Sequence, residues 1–117
     1  MIETFIQATF PSIWSLEMLL LLASEPNRIW TNGEIVAALR ASDLIVRQST
    51  QRLAGAGLLQ IADGGLSYRP LTPELAQRVD ETRSLYQSSP GKVRRLIITA
   101  HPNSPIALAD AFRLRKD

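Results

Sequence analysis

The sequence predicts a mainly α fold with a small β-hairpin, arranged as a winged helix-turn-helix with flanking N- and C-terminal helices. Three observations predict it. A Thr31-Asn32-Gly33-Glu34 capping box opens an apolar-periodic run. Ala41-Ser42 supplies a short turn and a second helix cap. A glycine-tipped pair of short segments with strand character follows that second helix at once.

Each element has a local cause. Thr31 can accept from the free amide three residues on, while Glu34 reaches back to the amide of Thr31. The helix this opens covers residues 34–40, with Ile35, Ala38 and Leu39 as its apolar stripe. Ser42 caps a second helix over 43–56, and Gly57 suits the left-handed conformation favoured at a helix end. Residues 58–61 and 66–69 then read as strands joined by Ala62-Asp63-Gly64-Gly65. The Asp-Gly and Gly-Gly pairs there supply the positive backbone angles of a tight hairpin. Trp30 is placed for a short extra strand beside it.

The flanks read as helices too. Pro11-Ser12 opens one that runs to about Ser24, with Trp14, Leu16, Leu19, Leu20 and Ala23 on its buried side. Met18, Leu21 and Leu22 extend the apolar surface nearly all round, which predicts burial from two directions. Ahead of it, Ile2, Phe5, Ile6 and Phe10 have stripe spacing, so this arm either folds back on the domain or crosses to a partner. Thr72-Pro73-Glu74 starts a helix to about Ser88, inward through Leu75, Val79, Thr82 and Tyr86. Ser89-Pro90 starts another, with Val93, Leu96, Ile97 and Ala100 inward and Lys92, Arg94 and Arg95 mostly outward. A last helix is expected over 106–114. The chain is thus one domain over 1–117, a winged core at 12–70 and a helical extension at 72–117.

Placing residues 100° apart along 43–56 sorts its two sides. Val46, Ser49, Thr50 and Leu53 face the core, with Ile45 and Ala56 at the edge; Leu44, Arg47, Gln48 and Gln51 point outward. Arg and Gln there suit hydrogen bonding to guanine and adenine edges in a major groove, and Leu44 suits a thymine methyl. The same set is also what an ordinary solvated helix face presents.

On these residues, 31–69 resembles the winged helix-turn-helix of small bacterial transcription regulators of the multiple-antibiotic-resistance-repressor type. The segment Gln51-Arg52-Leu53-Ala54-Gly55-Ala56-Gly57-Leu58-Leu59 is similar to the end of their recognition helix and its entry into the wing. The close match covers about a third of the chain. The resemblance implies that the outward face of the second helix reads bases while the wing touches backbone or minor groove. The candidate DNA-contacting set is therefore Ser42, Arg47, Gln48, Gln51, Arg52 and Arg69. The wing departs from the family pattern: such wings carry Arg or Lys near the tip, and this one carries Ala62-Asp63-Gly64-Gly65.

Charge argues the other way. Across 12–70 the basic residues Arg28, Arg40, Arg47, Arg52 and Arg69 are balanced by Glu17, Glu25, Glu34, Asp43 and Asp63. Phosphate neutralisation supplies much of the affinity of DNA-binding proteins, and a neutral module supplies little of it. The formal net charge of +2 comes from the far end, where Lys92, Arg94, Arg95, Arg113, Arg115 and Lys116 outnumber Asp110 and Asp117. A DNA reading needs that end beside the helix, or a dimer that doubles the contacts.

Composition sets the class. With 45% hydrophobic and 21% charged residues the chain reads as globular and cytoplasmic, and without cysteine it forms no disulfide or thiolate metal site. The apolar run at 16–23 is too short for a membrane span, and no basic segment precedes it as in a secretory signal. An enzyme is not expected. The single histidine, His101, lies in a turn; Asp80 and Glu81 are adjacent on a helix and diverge; Gly64-Gly65 lacks the lysine of a phosphate loop. No metal or cofactor is expected. Two readings stand: a homodimeric regulator binding double-stranded DNA, and a winged-helix module that docks on another protein through Leu44 and the N-terminal arm.

Overall fold

A computed structural model describes residues 2–101 of the chain. Six helices and one hairpin follow in order: α1 (Ile2–Thr9), α2 (Ile13–Ser24), α3 (Asn32–Leu39), α4 (Asp43–Gly55), β1 (Leu59–Ala62), β2 (Gly65–Tyr68), α5 (Pro73–Ser88) and α6 (Pro90–Ala100). This is a mainly α fold with a small antiparallel hairpin, as the sequence predicts. The helix expected over 106–114 lies outside the described residues.

The helix starts follow the caps. Thr31 Oγ1 accepts from Glu34 N at 3.1 Å, and a Glu34 carboxylate oxygen accepts from Thr31 N at 2.8 Å, so both halves of the capping box are made. Ser42 Oγ accepts from Ile45 N at 3.1 Å and Thr72 Oγ1 from Leu75 N at 3.1 Å. Ser12 forms a further capping box with Ser15. Ser89 precedes Pro90 without a side-chain cap. Between α3 and α4, Arg40 turns the chain with φ 55°, a left-handed conformation at the helix end.

Helix α2 is the centre of the molecule. Ile13, Leu16, Met18, Leu19 and Leu22 are fully buried, and the helix packs against α3, α4 and β2 as well as α6. The apolar surface all round α2 is thus used from two directions, as expected. Trp14 and Leu20 are only half-buried, whereas Met18 and Leu22 are wholly inside. The N-terminal arm folds back: α1 packs on α5 and α6, and Ile6 and Phe10 have no exposed surface.

Two stripes shift from their expected residues. In α3 the inward set is Ile35, Val36 and Leu39, the latter two packed partly buried against the core, and Ala38 is exposed. In α6, Ala100 is exposed at the last position and Ile98 is half-buried instead, while Val93 and Ile97 are buried as expected. Arg94 lies half inside, its Nη2 3.5 Å from the Tyr86 hydroxyl, which itself donates to Glu17 at 3.2 Å. Burial, together with the negative Glu17, pushes the Tyr86 phenol up from its ordinary value of 10.0.

The hairpin sits one residue off its predicted bounds. Leu59 pairs with Tyr68, Gln60 with Ser67, Ile61 with Leu66 and Ala62 with Gly65, leaving Asp63-Gly64 as a two-residue loop. The positive φ expected at the tip falls at Gly65 (136°), not at Asp63 or Gly64. Trp30 bridges to Leu66, with Trp30 N to Leu66 O at 2.7 Å and Leu66 N to Trp30 O at 2.8 Å, so the extra strand is a single bridge. Gly57 carries φ 81° at the exit of α4, as expected.

Candidate nucleic-acid interface

Helix α4 separates its two sides cleanly. Val46, Ser49, Thr50 and Leu53 are buried, and Leu44, Arg47, Gln48 and Gln51 are exposed. The period-3.6 sorting holds because α2, α3 and β1 cover one side and no described element covers the other. Between this open side and the hairpin lies a cleft of about 390 Å³, lined by Asn32, Arg47, Thr50, Gln51, Ile61 and Asp63 among others.

The cleft is anchored at the helix starts. The Asn32 side-chain amide, on the first residue of α3, donates to Asp43 Oδ1. The other oxygen of that carboxylate, Oδ2, lies 2.7 Å from Arg47 Nε one turn along α4. Arg28 stacks over Trp30 at 3.5 Å and pairs with both Glu25 and Glu34 at 3.2 Å, bracing the entry to α3. The backbone N–H of Thr31, together with that arginine, holds the Glu34 carboxyl below its ordinary value of 4.5.

The six candidate residues do not share one surface. Ser42, Arg47, Gln48 and Gln51 lie along the open side of α4, with Ser42 engaged as the cap. Arg52 is exposed but turned away, its Nη2 donating to the Ala8 carbonyl at 3.2 Å. Arg69 extends the hairpin ladder, its N–H donating to Leu58 O at 3.0 Å. Alternation along the strands puts it on the same sheet face as Gln60 and Ser67, with which it lines a separate hollow beside Ile29. The face toward α4 carries Ile61 and Leu66 instead. The sequence reading missed Asn32 and Asp43, whose role needs two helix starts to meet; the i, i+4 spacing of Asp43 and Arg47 was the available signal.

The open side is mixed in character. Arg47 is paired with Asp43, and the acidic Asp63 lines the same cleft from the hairpin. Leu44 is 63% exposed and Ile61 58% exposed on the same side. Comparison of the chain with family models, with curated proteins and with solved structures finds no match in any of the three. Among the described residues, no single helix is long and apolar enough to cross a membrane.

Proposed function

We propose that this chain is a DNA-binding transcription regulator that reads duplex DNA with α4 and uses the hairpin at 58–69 as a short wing. The observation that carries the reading is the uncovered Arg47-Gln48-Gln51 edge of α4, set beside a hairpin in the order of a winged helix-turn-helix. A helix presented this way fits a major groove, and Arg and Gln are the side chains that pair bidentately with guanine and adenine. The likeness to regulators of the multiple-antibiotic-resistance-repressor type supports the same reading. In this proposal the protein is a cytoplasmic homodimer without cofactor or catalytic activity, the second copy doubling the contacts that a neutral module can make.

A second reading rests on a specific observation. Exposed Leu44 and Ile61, with acidic Asp63 at the hairpin tip, suit a protein surface better than a phosphate backbone. The arm leaves that reading one apolar surface rather than two, since Ile6 and Phe10 are occupied within the chain.

Titration of the full chain with a pool of duplex fragments at low salt separates the two. The DNA reading expects binding that weakens as salt rises, and that falls at least tenfold when Arg47 and Gln51 are both changed to Ala. Absence of duplex binding at low salt removes it in favour of the protein-docking reading.

A further inference from the structure

We propose that Asn32 and Asp43 are positioning residues that hold Arg47 as a guanine-reading fork; this rests on the DNA reading above. Arg47 is on the second turn of α4, yet its side chain is not an unrestrained surface arginine. Its Nε lies 2.7 Å from Asp43 Oδ2, an ion pair one turn apart on the helix. The guanidinium side chain stays 71% exposed. Asp43 is itself held, because its second oxygen accepts from the Asn32 amide at the start of α3. Asn32 in turn is the first residue of α3, next to the Thr31–Glu34 capping box. A chain of side chains therefore runs from one capped helix start, through the next, to a largely exposed guanidinium that lines the cleft beside the hairpin.

This geometry has a chemical consequence. An arginine engaged through Nε presents Nη1 and Nη2 as parallel donors, the match for O6 and N7 of one guanine. Restraint before binding removes part of the ordering entropy that a free arginine loses on contact. The carboxylate also lowers the attraction of this site for phosphate in general, since it neutralises the guanidinium. Asp43 thus trades overall affinity for discrimination. Asn32 keeps Asp43 turned toward Arg47 rather than toward solvent.

The test is selection of duplexes from a randomised pool by the full-length protein, repeated with Arg47→Ala, Asp43→Asn, Asn32→Ala and Glu74→Gln. The wild type is expected to enrich a guanine that Arg47→Ala no longer enriches, at a discrimination of about ten- to hundredfold. Asp43→Asn is expected to lose most of that preference while binding unrelated duplex as well as before or better. Asn32→Ala is expected to lose part of it. Glu74→Gln removes the same charge from the exposed first turn of α5, outside the cleft, so it is expected to leave the guanine preference intact. Undiminished guanine preference in a folded Asp43→Asn protein overturns the proposal and leaves the DNA reading standing. Uniform weakening by Arg47→Ala, with a shallower salt dependence and no change of preference, assigns Arg47 to a phosphate and overturns it equally. A wild-type chain that enriches no duplex removes both.

Discussion

Arg52, next to the outward-facing Gln51 on α4, spends its guanidinium on the carbonyl oxygen of Ala8, 3.2 Å away at the end of α1. The reason lies in α1. Pro11 has no N–H to give the Gln7 carbonyl, and the Ser12 N–H is taken by the Ser15 hydroxyl, so two successive carbonyls lose their helical donors. His101 Nε2 meets the Gln7 carbonyl at 2.8 Å, and Arg52 supplies the Ala8 carbonyl. Cationic or polar donors at a helix C-terminus also suit its dipole. The arm is thereby tied both to α4 and to the end of α6.

Arg52→Ala is therefore expected to act on stability. A loss of about 1 kcal/mol in urea unfolding is expected for this exposed charged donor. Duplex binding is expected to fall less than in Arg47→Ala. The reverse ranking returns Arg52 to the reading surface.

Ser42 separates a structural role from a contact role. Ser42→Ala removes the bond to Ile45 N and is expected to cost about 1 kcal/mol in the same measurement. Ser42→Asp keeps a capping oxygen and adds a negative charge to the open side of α4. Stability near wild type with weaker duplex binding is expected for it.

Gly65 tests the hairpin. A Cβ there would lie 2.1 Å from the Trp30 carbonyl oxygen, at a φ of 136° that other residues rarely adopt. The bridge from Trp30 to Leu66 cannot form with a side chain in that place. Gly65→Ala is expected to destabilise by about 2–4 kcal/mol, through strain and loss of the bridge. Amide exchange at Trp30 and Leu66 should rise above that of the α2 core.

Glu34 gives the chain an acid-side dependence of known sign. Its carboxyl titrates below the ordinary 4.5 when folded, so the ionised form is favoured by folding. That contribution is fully present above pH 4.5 and is lost as pH falls through the lowered value. The stability difference between wild type and Glu34→Gln is expected to be constant near neutrality and to shrink below pH 4.5. A difference that stays flat down to pH 3 contradicts the assignment.

Much of this was legible locally, because the forces involved act within one or two turns. Thr31 with Glu34, Ser42, Thr72-Pro73 and Gly57 fix their elements through the nearest backbone groups, and all act as expected. The burial of Val46, Ser49, Thr50 and Leu53 was likewise readable, since a helix wound at 100° per residue can turn only one side inward. The errors lie where a neighbour decides. Val36 packs against the core in place of Ala38, which is exposed.

The sequence by itself determined the order of elements from Thr31 to Tyr68 and the residues on the open side of α4. Tertiary structure alone decided how the six candidates divide. Arg52 turns to Ala8 because Pro11 and Ser12 withhold their donors; Arg69 lies on the sheet face away from α4 because strand side chains alternate. Arg47 is held by Asp43, itself held by Asn32, because the starts of α3 and α4 come within side-chain reach of each other in the fold. Propensity and period are properties of one segment. Which donor answers which acceptor depends on segments that meet only after the chain has folded.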